Sequence, residues 1–168
     1  SSEMGVQLDS LADLVTFGAA PGFIGFDLLQ SFPGYPDGLA YSAYLIPLFS
    51  ALRLARFNLD DGQKNHFMGM PTPANALFIG GWVFYQSWFL EINHFLMPLV
   101  LNIFIVISAI WLILPLKLLS LKFRNFKWQE NKLRYLFLVS TVLVISVTKL
   151  YAFPLIILIY WLLSFQQK

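Results

Sequence analysis

Cysteine is absent from the 168 residues, which excludes a disulfide framework and a thiolate metal site and leaves no thiol to report a redox compartment. Charge is nearly as scarce. Asp, Glu, Lys and Arg together make up 12% of the chain, about half the share found in an ordinary soluble domain. No internal repeat, low-complexity tract or soluble-type domain interrupts it, and the longest polar connection is the segment 117–132, KLLSLKFRNFKWQENK. What remains is apolar: 58% hydrophobic and 17% aromatic residues, with mean hydropathy +0.67. These values exclude a soluble globular domain and indicate an integral membrane protein. The net charge of +2 is modest, and no nucleic-acid partner is expected. No separable signal peptide is visible, and the first residue is Ser1 rather than Met, which reads as a cut or incomplete end.

Apolar runs of about 20 residues are long enough to cross a bilayer as helices. Six such runs are expected, at 6–30, 38–58, 72–90, 95–116, 133–148 and 150–165. The last two are separated only by Lys149. With Tyr151 and Pro154 beside it, that residue reads as an interfacial turn, so a hairpin is expected rather than one long tilted helix. The fold class is therefore an all-α, polytopic membrane helix bundle forming one domain over 1–168.

Basic residues orient the bundle, because Lys and Arg are retained on the cytoplasmic side. Arg53, Arg56 and Lys64 flank the second-to-third connection. Lys117, Lys122, Arg124, Lys127, Lys132 and Arg134 flank the fourth-to-fifth, and Lys168 ends the chain. The opposite connections, SFPGYPDG and EINHF, carry no Lys or Arg, and only Lys149 is out of place. Asp9 and Asp13 thus face the cytoplasm on the same side as Arg53 and Arg56.

The acids stand at the mouth of an apolar segment, in GVQLDSLAD followed by LVTFGAAPGFIGFDLLQ. Ionised groups are costly near hydrocarbon, so Asp9 and Asp13, at i and i+4, require a cation, a metal or water as partner. Carboxylates one turn apart can share a hard divalent cation, or divide into ligand and base. Gly5, one turn earlier on the same face, removes a side chain where a substrate could approach. The bland alternative is that both acids complement the positive end of a helix dipole, and spacing alone leaves the two readings even. Arg53 and Arg56, at i and i+3, can face one anionic group or serve as positive-inside anchors among headgroups.

Other features read as structural. In GMPTPAN, Gly69 suits a tight turn and Pro71 and Pro73 shape the entry to the third span, with substrate lining as the alternative. Asp60, Asp61 and Gly62 read as turn chemistry. His66 and His94 lie near opposite interfaces and cannot share a metal. Lys122, Arg124 and Lys127 suit anionic lipid. Gly18, Ala19, Ala20, Pro21 and Gly22 suit close helix packing and a kink, with a groove for acyl chains beside it.

GVQLDSLADLVTFGAAPG resembles the second half of the signature of the CDP-alcohol phosphatidyltransferases, D-x-x-D-G-x-x-A-R followed after a gap by G-x-x-x-D-x-x-x-D. Gly5, Asp9 and Asp13 match its last three positions. SALRLARFN, FMGMPTPAN and LLSLKFRNFKW are similar to the bacterial phosphatidylserine synthase branch, so the resemblance extends over residues 5–128. It implies that Asp9 is a metal ligand, that Asp13 is both ligand and general base, and that the metal is Mg²⁺ or Mn²⁺. It also implies substrate contacts from Gly5, Arg53, Arg56 and Asn58. The implied reaction joins L-serine to the phosphatidyl group of CDP-diacylglycerol in the cell membrane, by a homodimer among membrane lipids, with release of CMP. The first half of the motif is not in these residues. The resemblance implies that it lies upstream with two further spans, and that the 168 residues alone insert without transferring. A sibling enzyme using glycerol phosphate or inositol phosphate is the nearest rival. A small proton-coupled transporter, with Asp9 and Asp13 as relay, is the rival from another class.

Overall fold

A computed structural model describes residues 2–59, 69–87, 91, 96–115, 118 and 127–166. Asp60, Asp61, Gly62, Lys64, His66, His94, Lys117, Lys122, Arg124 and Lys168, which carry several of the expectations above, lie outside the described residues. Among those described, every regular element is helical.

Helix α1 runs from Glu3 to Gln30, capped by Ser2, whose Oγ accepts a hydrogen bond from the Gly5 amide at 3.1 Å. Its centre, Val15–Ala19, widens into a π-turn immediately before Pro21. Proline has no amide to donate and crowds the preceding turn, and a π-turn absorbs both problems without breaking the helix. The second helix, α2, spans Asp37–Leu59 and contains a 3-10 turn at Tyr41–Tyr44. Helix α3 covers Thr72–Trp82, α4 covers Leu96–Ile113, α5 covers Trp128–Thr148 and α6 covers Ala152–Phe165.

Four stretches are long and apolar enough to cross a membrane: Glu3–Gln30, Asp37–Leu59, Leu96–Ile113 and Asn131–Phe165. The count falls short of the expected six for identifiable reasons. The described α3 is only 11 residues long, and the last stretch is continuous in composition although its backbone is not straight. Lys149 has φ +52°, outside helical geometry, and the rings of Phe137 and Tyr160 meet at 5.7 Å. In a straight helix, 23 intervening steps would hold them about 35 Å apart. The chain therefore folds back at Lys149 into the expected hairpin.

Glycines set the closest helix contacts. A Cβ at Gly18 would lie 3.0 Å from Ser50 Cβ, and one at Gly22 would lie 2.8 Å from Pro47 Cδ, so α1 and α2 touch nearly backbone to backbone. Gly81 admits α6 in the same way, since a Cβ there would meet Pro154 Cδ at 2.5 Å. Inside, Leu29, Ile46, Phe78, Ile79, Ile105 and Leu112 form the core shared by α1 to α4.

The tight turn expected at Gly69 has φ +75°. A Cβ there would approach the Leu112 carbonyl oxygen to 2.8 Å, while the Met70 amide donates to the Trp111 carbonyl at 3.2 Å. This turn thus closes the C-terminal end of α4. Gly69→Ala should lower stability by about 2 kcal/mol or more, from left-handed backbone strain plus the clash. Gly80→Ala, where a Cβ meets nothing within 4 Å, should be neutral or stabilising by up to about 1 kcal/mol. Thermal unfolding in mild detergent, followed by tryptophan fluorescence, measures both; equal effects would refute this account of the turn.

Candidate active site at the basic end of the bundle

The N-terminal half of α1 meets the C-terminal end of α2 through a small polar cluster. Asn58 Nδ2 donates to Ser10 Oγ at 2.9 Å and to Gln7 Oε1 at 3.3 Å, and Ser10 Oγ donates to Asn58 Oδ1 at 3.3 Å. These bonds fix the rotation of α1. Because Ser10 faces α2, Asp9 and Asp13 lie on the adjacent face, where Asp9 is exposed and Asp13 half-buried. Gly5 lies on that same stripe and is exposed. Among the described residues, neither carboxylate has a hydrogen-bond or ion-pair partner.

Continued down the helix, the stripe Gly5, Asp9, Asp13 reaches Phe17, and there the surface changes character. A cavity of about 320 Å³ opens between α1 and α3, lined by Thr16, Phe17, Pro21 and Ile24 on one side and by Ala76 and Leu77 on the other. Its walls are almost wholly apolar. Two carboxylates with no partner among the described residues therefore sit one turn above an apolar groove, at the expected position beside the Pro21 kink.

The two arginines are engaged differently, although sequence spacing allowed them to share a target. Arg56 Nη1 donates to the Ile113 carbonyl at 3.3 Å, so it caps the α4 C-terminus with one of its five N–H groups. Arg53 is half-buried, level with Asp13 between the Gly18–Ser50 and Ser10–Asn58 contacts. Its Nε is sealed from solvent with no partner among the described residues. An unsatisfied buried donor of this kind costs about 1–3 kcal/mol.

Two carboxylates one turn apart are the hard oxygen donors that Mg²⁺ or Mn²⁺ takes, so these residues fit part of such a site. Among the described residues no group of three His, Asp or Glu side chains completes it. Sequence reasoning missed Ser10 and Gln7, which had no signal beyond their neighbours, and it missed the capping role of Arg56, which depends on a helix distant in sequence.

The acids, both arginines and Asn58 all fall within residues 1–111, the segment matched by the family model for CDP-alcohol phosphatidyltransferases. The chain belongs to this family. Membership sets aside the transporter reading. Among curated relatives, the CDP-diacylglycerol–serine O-phosphatidyltransferase of Helicobacter pylori is 33% identical over 144 residues, covering 83% of this chain and 56% of the relative. Proteins of the same name from Bacillus subtilis and Methanocaldococcus jannaschii are 41% and 38% identical over 75 and 80 residues. They align with 43% and 48% of this chain, and with 40% and 36% of their own lengths. The chain thus spans from about a third to somewhat over half the length of these relatives. No solved structure matches it.

The contrast between the arginines is testable. Arg56→Met should lower stability by about 0.5–2 kcal/mol, because it leaves a helix-end carbonyl and dipole uncapped. Arg53→Met removes a donor that has no described partner, so it should leave stability unchanged or raise it. Paired unfolding curves decide; a larger loss for Arg53→Met than for Arg56→Met would reverse the assignment.

Proposed function

We propose that this chain carries part of the active site of a membrane enzyme that transfers the phosphatidyl group of CDP-diacylglycerol to the hydroxyl of L-serine. The single observation that supports it best is the unpaired Asp9–Asp13 stripe standing directly above the apolar groove. A lipid nucleotide has the same two halves, a diphosphate that seeks charge at the interface and acyl chains that seek hydrocarbon. The relatives' names favour serine over glycerol phosphate or inositol phosphate as acceptor.

In this reading the acyl chains lie along Phe17, Pro21 and Leu77, and the diphosphate rests near Gly5, where no side chain intervenes. Mg²⁺ or Mn²⁺, held by Asp9 and Asp13 together with groups beyond this pair, supplies charge neutralisation at the diphosphate when bound. Asp13 accepts the serine hydroxyl proton as the hydroxyl oxygen bonds to the phosphatidyl phosphorus and the bond to CMP breaks. Arg53 offers its open Nε to an anionic group of either substrate, and Arg56 contributes its remaining donors from the rim. Asn58 acts through Ser10, holding the acid stripe in register. Most of the catalytic effect is positioning and charge stabilisation, as in other phosphoryl transfers.

The same reading takes 1–168 as one domain with six crossings. Residues 72–90 and both arms of the Lys149 hairpin are counted as spans, and the acid end faces the cytoplasm across the cell membrane. A homodimer in the membrane plane belongs to the proposal, and mass measurement of the detergent-solubilised protein tests it.

In the full-length protein, Asp13→Asn should lower serine-dependent CMP release by about 10²- to 10⁴-fold, the usual loss for a general base, while CDP-diacylglycerol binding persists. Asp9→Asn should instead shift the Mn²⁺ requirement to higher concentration. Near-normal turnover by Asp13→Asn across a full Mn²⁺ titration would sink the base assignment. Glycerol phosphate or inositol phosphate replacing serine would redirect the reading to a sibling activity.

A further inference from the structure

The core beneath the acids is not wholly apolar. Ser50, Asn75 and Ser108 are each 0% exposed, yet only Ser108 is settled, its Oγ donating to the Ile105 carbonyl at 2.9 Å. Asn75 has no partner for either Nδ2 or Oδ1 among the described residues, and Ser50 Oγ is also open, as is Arg53 Nε. A fully buried amide with both ends open is costly in an apolar bundle and would be relieved by a polar occupant.

The helix register brings these groups to successive levels at the same end of the bundle. A Cβ at Gly25 would lie 3.4 Å from Ala43 Cβ and 3.6 Å from Ile79 Cγ2, so α1, α2 and α3 meet there. Two turns nearer the basic end, the Gly18 position lies 3.0 Å from Ser50 Cβ. Asn75 is one turn from Ile79 on the same stripe of α3, towards the same end, and a helical side chain leans back towards its own N-terminus. Arg53 follows Ser50 by three residues, one turn closer to the acids. From the core outward the order is therefore Asn75, Ser50, Arg53, with Asp13 alongside on α1. The apolar groove lies on the other flank of α3, at Ala76 and Leu77.

We infer that Asn75 and Ser50 form the floor, and Arg53 the rim, of a buried recess that takes the acceptor substrate, a small molecule bearing hydroxyl, ammonium and carboxylate groups. The amide supplies an acceptor for an N–H or O–H donor and two donors for a lone pair. The guanidinium supplies the cation that a carboxylate needs. Seated there, the acceptor approaches the acid stripe from the core, while the lipid nucleotide approaches from the groove. Its role as acceptor rests on the transfer reading above; its occupancy of the recess does not.

The test uses the purified full-length protein and its Asn75→Leu and Ser50→Ala variants, with L-serine and glycerol 3-phosphate as probes. Equilibrium dialysis with labelled probe measures binding, and CMP release gives KM for each substrate. Asn75→Leu keeps the approximate size and removes both polar ends. It should weaken L-serine binding and raise its KM about 10- to 100-fold, with KM for CDP-diacylglycerol within about twofold and no fall in unfolding temperature. Ser50→Ala, a smaller change that serves if Asn75→Leu does not fold, should weaken L-serine by about 3- to 10-fold. Unchanged L-serine affinity in the variants, or glycerol 3-phosphate bound in preference by the parent, would overturn the recess. Equal losses for L-serine and CDP-diacylglycerol would overturn it too. L-Serine binding that depends on Asn75 without any CMP release would uphold the recess and defeat the transfer reading.

Discussion

The near backbone contact of α1 with α2 at Gly18 and Gly22 is the constraint on which the rest of the basic end depends. In hydrocarbon, one apolar side chain gains little by touching another rather than lipid, so helices associate where small residues allow close packing. Here that contact draws Ser50 and Pro47 against α1 and brings Asn58 within reach of Ser10. With the rotation of α1 fixed in this way, its acids cannot face α2. They occupy the neighbouring stripe, above the groove shared with α3.

A second requirement, that every backbone polar group in an apolar setting find a partner, explains features that look functional at first sight. The end of α4 would leave carbonyls exposed to hydrocarbon or headgroups. Met70 and Arg56 supply donors to it, and Gly69 is the residue type that permits the approach. Arg56 thus contributes a structural bond before any ligand arrives. Arg53, Ser50 and Asn75 are the opposite case, because Arg53 Nε, Ser50 Oγ and both ends of the Asn75 amide are buried with no partner among the described residues. Ser42 Oγ and Thr141 Oγ1 are buried and open as well, so it is the position of Arg53, Ser50 and Asn75 towards the acid end of the bundle that sets them apart.

Much of this architecture was legible in the residues themselves. Scarce charge and long apolar runs determined a helical membrane protein, Arg53 and Arg56 marked the end of α2 that meets the acid-bearing end of α1, and Lys149 determined a fold-back, because each signal is local and strong. The G-x-x-x-D-x-x-x-D spacing located the acid stripe, since periodicity on one helix needs no tertiary information. The count of six crossings was not matched in full, because the described α3 is only 11 residues long and α5 and α6 form one apolar stretch although the backbone turns between them.

Only the tertiary structure decided which polar groups are already occupied. Arg53 and Arg56 share one helix and one spacing, yet Arg56 meets a carbonyl 57 residues away while Arg53 meets nothing described. Asn58 and Asn75 are both asparagines within family-like motifs. One is bonded to Ser10 and Gln7, and the other is enclosed with its amide open. The sequence by itself determined the elements, their order and the residues able to do chemistry, because those depend on composition and on neighbours along the chain. Whether a given side chain holds the bundle together or stays free for a ligand depends on contacts between helices far apart in sequence, and these exist only once the helices have packed.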